Sequence, residues 1–452
     1  MGRRVYIWYY DALMVKPGKW LSRIGPGAIV ASATVGAGET VLAVRAGAWG
    51  GYDLLWLILL AILAKSFLTL YLLGHYTVAT GRTVAEKLVE LPGPRGWFLW
   101  TVLVLESLVA PFVFVVIAVP CGRLMSQVLA GGGVNVSYKW LALAFLSLAV
   151  LVGLVQRYDT LEKSQGVVCL VLLAGTVTAT VLARPDFAGI FKGMFSLGTV
   201  PPYPDWIPAE IKGRSRLLEV AAVFGYAGSI AMNYVVYSNW ILMKGWRLKE
   251  ASGRAARKRA LGPLKFDVGA NAVVVFLVTV AFMVAGAAIL NPMQRIPQGY
   301  DLLTEQAHIF AEISSFMIPL YYVTILAALW GTLNALPDIY GRGAHSFLRQ
   351  LVPAGRNWSL ARVRNIYGIS ILFLSGFFIW SGTTPIIMVD MVALFSTNVG
   401  VGLVCIAAIW LNRQLPAAKR VSPWLSGAAV AGAAVTNVMA LISAREVLLR
   451  YF

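Results

Sequence analysis

The ionisable groups that could do chemistry in this chain lie in stretches otherwise too apolar to hold them. Glu39 ends the run Thr34-Val35-Gly36-Ala37-Gly38-Glu39. Lys65 interrupts Ala61-Ile62-Leu63-Ala64, and Glu106 stands in an apolar stretch shortly before the helix breaker Pro111. A charge at the centre of a bilayer costs about 3 kcal/mol or more, so such residues face protein or water and are functional by default. The Lys65 ammonium calls for a carboxylate, most simply Glu39 or Glu106. Two readings of Lys65 stay open: an ion pair that only fixes helix packing, or a working cation that replaces a coupling ion or meets an anionic solute.

A second run of the same kind is Gly225-Tyr226-Ala227-Gly228-Ser229-Ile230-Ala231-Met232-Asn233. Glycines and polar residues unwind a helix, and the freed N–H and C=O groups then need partners that a bound solute can supply. N-terminal ends of the resumed helices suit carboxylates, whereas C-terminal ends and free carbonyls suit cations. Gly36 and Gly38 let a solute approach the backbone itself. The expected binding residues are therefore Gly36, Ala37, Gly38 and Glu39 with Ala231, Met232 and Asn233. This pattern specifies a site without choosing the sign of the solute. A plainer account, that the glycines only allow close helix packing, does not explain Glu39.

The elements that must position these residues follow from composition. In 452 residues, 59% are hydrophobic and 13% charged, with a mean hydropathy of +0.73, which excludes a water-soluble domain of this size. At about 20 apolar residues per membrane helix, roughly eleven spans are predicted, over 24–48, 52–74, 97–120, 139–156, 164–183, 217–243, 267–290, 309–333, 363–381, 385–411 and 424–446. The excess of 38 Lys+Arg over 20 Asp+Glu is read as topology, not as a nucleic-acid surface. Lys244, Arg247 and Lys249 after span six, and Arg342, Arg349 and Arg356 after span eight, place the N-terminus inside and the C-terminus outside. The loop after span five dissents with Lys192, Lys212, Arg214 and Arg216, but long loops obey the rule poorly. The two interrupted runs fall in spans one and six, which points to an inverted repeat of spans one to five by six to ten, with span eleven appended.

The first ninety residues carry a resemblance. Gly25-Pro26-Gly27 through Gly47-Ala48, then Gly51-Tyr52-Asp53-Leu54-Leu55-Trp56, Ala79-Thr80-Gly81-Arg82 and Ala85-Glu86 resemble the first two helices of Nramp-type divalent-metal transporters. Patchier echoes are Leu161-Glu162, Pro185-Asp186 and Asn233 through Ser238. The resemblance implies a LeuT-like inverted-repeat fold and metal uptake coupled to protons. It also implies departures at the site. The family's DPGN signature reads Gly36-Ala37-Gly38-Glu39, which puts Gly36 at the metal-binding aspartate. Its MPH signature reads Ile230-Ala231-Met232, and its second histidine falls at Tyr237 beside Ser238. Acidic residues in the family's proton route imply a coupling role for Glu106, and Asp267 matches an acidic position of the family at the start of span seven.

The expectation is thus an all-α polytopic transporter: residues 1–20 a cytoplasmic segment, 21–183 the first repeat, 184–216 an external loop, 217–412 the second repeat and 413–452 the last helix and tail. No cofactor is expected, and a divalent cation enters only as substrate. Glu39, Asn233, carbonyls and water are hard ligands suited to Mg²⁺, Mn²⁺ or Ca²⁺, with Met232 offering sulfur if the turn faces it inward. The competing reading is a small organic acid or amino acid cradled by Gly36-Ala37-Gly38. Coupling or ion pairing is assigned to Glu39, Lys65, Glu106, Tyr237 and Asp267, and Asp390, Thr397 and Asn398 could line a pathway. Partners are a small solute or metal ion and membrane lipid, without nucleic acid, in a monomer of a prokaryotic plasma membrane. An enzyme would need paired acidic, histidine or cysteine residues at one face. Cys121, Cys169 and Cys405 are isolated, and His75, His308 and His345 are read as interfacial.

Overall fold

The computed structural model describes residues 25–36, 38–248, 254–296, 317–383 and 385–451. The expected cytoplasmic segment 1–20 and His308 lie outside the described residues. Ten helices among those described are long and apolar enough to cross a membrane, from Leu55–Thr80 to Pro423–Tyr451. The first span makes the eleventh in pieces: Gly27–Thr34, then a π-turn Gly38–Ala43 that continues as Val44–Gly50. The sixth span is likewise two helices, Arg216–Tyr226 and Ala231–Met243, interrupted at 227–230. No strand occurs among the described residues.

Local chemistry sets the ends. Ser215 accepts from the Leu217 amide at 3.2 Å to start the sixth span, and Ser359 accepts from Arg362 at 3.2 Å to start the ninth. Some helices outrun their apolar stretches, because hydropathy marks only the part that meets lipid. The eighth span, expected over 309–333, runs Met317–Leu351, so Arg342 and Arg349 are helical and not loop residues. The third span, expected over 97–120 with the helix breaker Pro111 inside it, runs Trp97–Gly131 straight through Pro111 and Pro120. The ninth span packs against this stretch, its Ser375 hydroxyl donating to the Pro111 carbonyl at 3.2 Å.

The central stretch of the broken sixth span is buried, while the fourth, ninth and eleventh spans are largely exposed and form the lipid-facing rim. The first and seventh spans touch backbone to backbone: a Cβ on Gly47 would lie 1.9 Å from the Met283 carbonyl oxygen. Small-residue packing accounts for that glycine. Three further π-turns, Ile62–Thr69, Gly286–Leu290 and Ala393–Gly400, lie in the second, seventh and tenth spans. Such turns re-aim side chains and recur at functional sites.

The segment after the fifth span folds into the short helices Phe187–Phe195 and Ala209–Lys212. Its basic residues do not all act as topogenic surface charge. Arg214 is 2% exposed and ion-paired, which removes it from the charges that weigh against the assigned orientation.

Candidate functional site

The two breaks meet. A Cβ on Gly38 would lie 2.3 Å from the Tyr226 ring, so the resumed first helix can approach the end of Arg216–Tyr226 only as glycine. Thr40 closes the first break by donating both its amide, at 3.1 Å, and its hydroxyl, at 2.9 Å, to the Gly36 carbonyl. Between the breaks lies a cavity of about 40 Å³. A water needs about 10–15 Å³ of such space, so the cavity holds about three. Thr34, Tyr226, Ser229, Thr332 and Thr397 bring hydroxyls to its wall, and Ile230 and Val113 bring hydrocarbon.

Of the residues expected from sequence, Gly36 and Gly38 line this cavity. Ala37 and the side chain of Glu39 lie outside the described residues. Ala231 is fully buried and begins the resumed sixth helix, its Cβ against the position of Gly400. Asn233 braces the break, donating to the Ser229 hydroxyl at 2.6 Å, and its own Oδ1 is buried without a hydrogen bond. Met232 departs from expectation. Its sulfur packs against Gly343 of the eighth span, three helical turns beyond Thr332, because a side chain one residue past the break already sits on the resumed helix and points with it. Ile230 takes the place beside the cavity.

The charges sit at the sixth-span break. Lys65 is fully buried, and its ammonium donates to the Phe224 and Gly225 carbonyls at 2.5 and 2.7 Å, at the end of the first half of the sixth span. Glu106 serves the other side of that break. Its Oε1 accepts from the Met232 amide at 3.3 Å and from the Ser396 hydroxyl at 2.7 Å, with the Tyr340 hydroxyl beside it. A carboxylate at a helix N-terminus and an ammonium at a helix C-terminus both complement the helix dipole. A helix end therefore supplies Lys65 with two backbone acceptors.

Both ends of the molecule are bridged. At one, Tyr237 donates to Asp267 at 2.7 Å, and the same carboxylate oxygen accepts from the Gly27 amide at 2.8 Å, so Asp267 caps the first helix from the seventh span. Nearby, Lys244 pairs with Glu162 at 2.7 Å, and Asp338 holds Arg342 at 2.7 Å and accepts from Trp240 at 3.1 Å. At the other end Arg214 grips Asp390 with two hydrogen bonds, at 2.7 and 2.6 Å. Arg214 also pairs with Glu219 at 2.8 Å, Glu219 pairs with Arg45 at 2.7 Å, and Tyr451 donates to Asp390 at 2.8 Å. Burial alone would lower the Arg214 pKa, but Glu219 and Asp390 hold it above the ordinary arginine value. Asp390 is thus part of a closure instead of a pathway wall, and Asn398 donates to the Ala221 carbonyl at 3.0 Å. Thr397 does line the cavity.

The sequence reading placed Tyr226 and Ser229 in the second interrupted run without giving them a binding role, and it passed over Thr332, whose hydroxyl carries no sequence signature. It also passed over Arg45, Glu219 and Asp338. Arg45 and Glu219 are charges within predicted spans, a signal it applied to Glu39, Lys65, Glu106 and Asp390, whereas Asp338 lies beyond the predicted end of the eighth span. Among the described residues no group of three or more His, Cys, Asp or Glu side chains could hold a metal.

Among the described residues, eleven spans, two of them broken and facing each other across a small cavity, define a polytopic membrane protein with a LeuT-like inverted-repeat fold. The family model described as natural resistance-associated macrophage protein-like matches residues 27–445, and the chain belongs to that Nramp family. Among curated relatives, the divalent metal cation transporter MntH of Yersinia pestis (strain Pestoides F) is 24% identical over 418 residues, covering 87% of this chain and 88% of that protein. Among solved structures, a mutant of the Eremococcus coleocola manganese transporter aligns with a TM-score of 0.71 at 13% identity, over 95% of this chain and 88% of its own. MhsT in complex with L-phenylalanine aligns with a TM-score of 0.57 at 13% identity, over 93% of this chain and 98% of its own. These structural likenesses establish the fold. The relatives are transporters, and this chain is an integral membrane transporter of their kind.

Proposed function

We propose that the chain is a secondary transporter that carries a hard divalent cation, Mg²⁺ or Mn²⁺ in preference to softer transition metals, by alternating access through the cavity between the breaks. The observation that carries this reading is the cavity wall itself: among the described residues its polar side chains all carry hydroxyl oxygen, with Ile230 beside it and the Met232 sulfur turned away. Hard cations prefer oxygen, and Mg²⁺ dehydrates reluctantly. Room for about three waters suits an ion that keeps part of its hydration shell. Glu39, next to the lining residue Gly38, supplies the one carboxylate in this scheme, and the buried Asn233 Oδ1 is a further acceptor beside Ser229.

Glu106 links the cargo to a proton or ion, because its carboxylate holds the amide with which the sixth helix resumes. A change in its charge would alter how the break is held. The Arg45–Glu219–Arg214–Asp390 end faces outside and the Asp267–Tyr237 end faces the cytoplasm of a prokaryotic cell. The helical and loop cations Lys244, Arg247, Arg342 and Arg349 support this orientation by the positive-inside rule.

The test is thermal stabilisation of the purified protein by Mg²⁺, Mn²⁺ and a panel of small carboxylates and amino acids, followed by uptake into liposomes. Saturable Mg²⁺ or Mn²⁺ uptake, with stabilisation lost in Glu39→Gln, is the expected result. Stabilisation and uptake of a carboxylate or amino acid, with no response to divalent cations, would replace the metal by an organic solute held at the glycine break.

A further inference from the structure

We infer that Lys65 is a tethered cation of the transport site: its ammonium stands where the broken sixth helix would otherwise hold a free monovalent cation. The reasoning starts from backbone bookkeeping. In an unbroken helix the Phe224 and Gly225 carbonyls would accept from the amides of residues 228 and 229. Those donors are diverted, the Gly228 amide to the Tyr226 carbonyl at 2.6 Å and the Ser229 amide to the Tyr234 hydroxyl at 3.2 Å. Two carbonyls at the negative end of a helix are thereby released, deep in the protein and without bulk water.

Lys65 takes both, at 2.5 and 2.7 Å, as charge-assisted hydrogen bonds. Its Nζ also lies 4.7 Å from the centroid of the Phe224 ring, a further contact suited to a cation. The fit leaves no slack. A Cβ on Gly228 would meet Lys65 Cε at 2.7 Å and Nζ at 3.0 Å, and Gly228 is itself part of the cavity wall. The ammonium therefore sits directly behind the break, carried there by the π-turn Ile62–Thr69 of the second span.

The corresponding end in the first repeat is treated differently. The carbonyls of Ser32 and Val35, at the close of Gly27–Thr34, lie 3.0 and 2.8 Å from the Thr332 hydroxyl, which also faces the Ala328 carbonyl at 3.2 Å. A hydroxyl has one proton for these three acceptors, whereas the ammonium brings three protons and a full charge. The two carbonyl ligands and the single positive charge of the ammonium that meets them define the class of ion that Lys65 replaces: a monovalent cation. Wild-type protein accordingly needs no soluble cation at that end of the sixth helix, whichever cargo the cavity takes.

The experiment compares melting temperatures of wild type and Lys65→Ala in chloride salts of methylammonium, ammonium, Na⁺, K⁺ and choline at equal ionic strength, with no divalent ion or organic solute present. The expected result is a wild type indifferent to the cation, and a Lys65→Ala variant that melts lower in choline and is restored by several degrees in methylammonium or another small monovalent cation. Lys65→Ala melting equally in all the salts overturns the inference. If that variant does not fold in choline, recovery of folded protein when it is purified in methylammonium supports the inference, and failure to recover it overturns it. A wild type stabilised by Na⁺ or K⁺ over choline also overturns it, because the end would then still take a free ion. None of these readouts depends on divalent transport, so they stand or fall apart from the identity of the cargo.

Discussion

Replacing Asp390 with asparagine should unlock one end of the transporter. Arg214 and Asp390 are 2% and 0% exposed, and their two hydrogen bonds tie the start of the sixth span to the tenth. Through Glu219 the same network reaches Arg45 of the first span, and through the Asp390 carboxylate it reaches Tyr451 of the eleventh. The four charged side chains sum to zero; Asp390→Asn leaves one positive charge uncompensated in a buried setting. Removing one partner of such a pair costs about 3–5 kcal/mol. Glu219 remains to share Arg214, so the lower figure, about 3 kcal/mol, is the better expectation. If the network exists only when this end is closed, opening becomes favoured by a factor of about 10², each 1.36 kcal/mol being tenfold. The assay is labelling of a cysteine placed at the cavity residue Val392 by a membrane-impermeant thiol reagent added outside, the native Cys121, Cys169 and Cys405 being buried. Labelling should accelerate by one to two orders of magnitude in the Asp390→Asn background. An unchanged labelling rate together with a lowered melting temperature would refute the reasoning, because the network would then hold the fold without gating it.

Two further outcomes follow from the geometry. Ile230→Met would bring a thioether to the cavity wall that the native Met232 does not reach, and should shift selectivity about tenfold toward softer ions such as Cd²⁺, measured as competition against Mn²⁺ uptake. Asp267→Ala strips an acceptor from both the Gly27 amide and the Tyr237 hydroxyl, at about 1–3 kcal/mol for each group left buried without a partner. Its melting temperature should fall and a cavity cysteine should become more accessible from the Tyr237 end only; equal accessibility from both ends would separate Asp267 from gating.

Much of the architecture was legible in the residues because lipid imposes simple local rules. A bilayer sets the length of each apolar stretch, so eleven spans could be counted from hydropathy alone, and glycine beside polar residues at Gly36, Gly38 and Gly228 marked where two of them unwind. The cost of a charge in hydrocarbon singled out Glu39, Lys65 and Glu106, and the last two do flank the sixth-helix break. What local rules could not supply was direction and partnership. Met232 lies next to the break in sequence yet points its sulfur at Gly343, since each step along a helix turns a side chain by about 100° and only the placement of neighbouring spans says what it then meets. Lys65 meets backbone carbonyls 159 and 160 residues away, and backbone acceptors, being present at every residue, leave no trace in a sequence. Arg214 read as a loop charge until packing buried it between Glu219 and Asp390. Segment lengths and helix breaks are properties of a stretch of chain in lipid and were settled by the sequence itself. Which charge compensates which, and which face of a helix sees the cavity, depend on contacts between distant spans, and only the tertiary structure decided them.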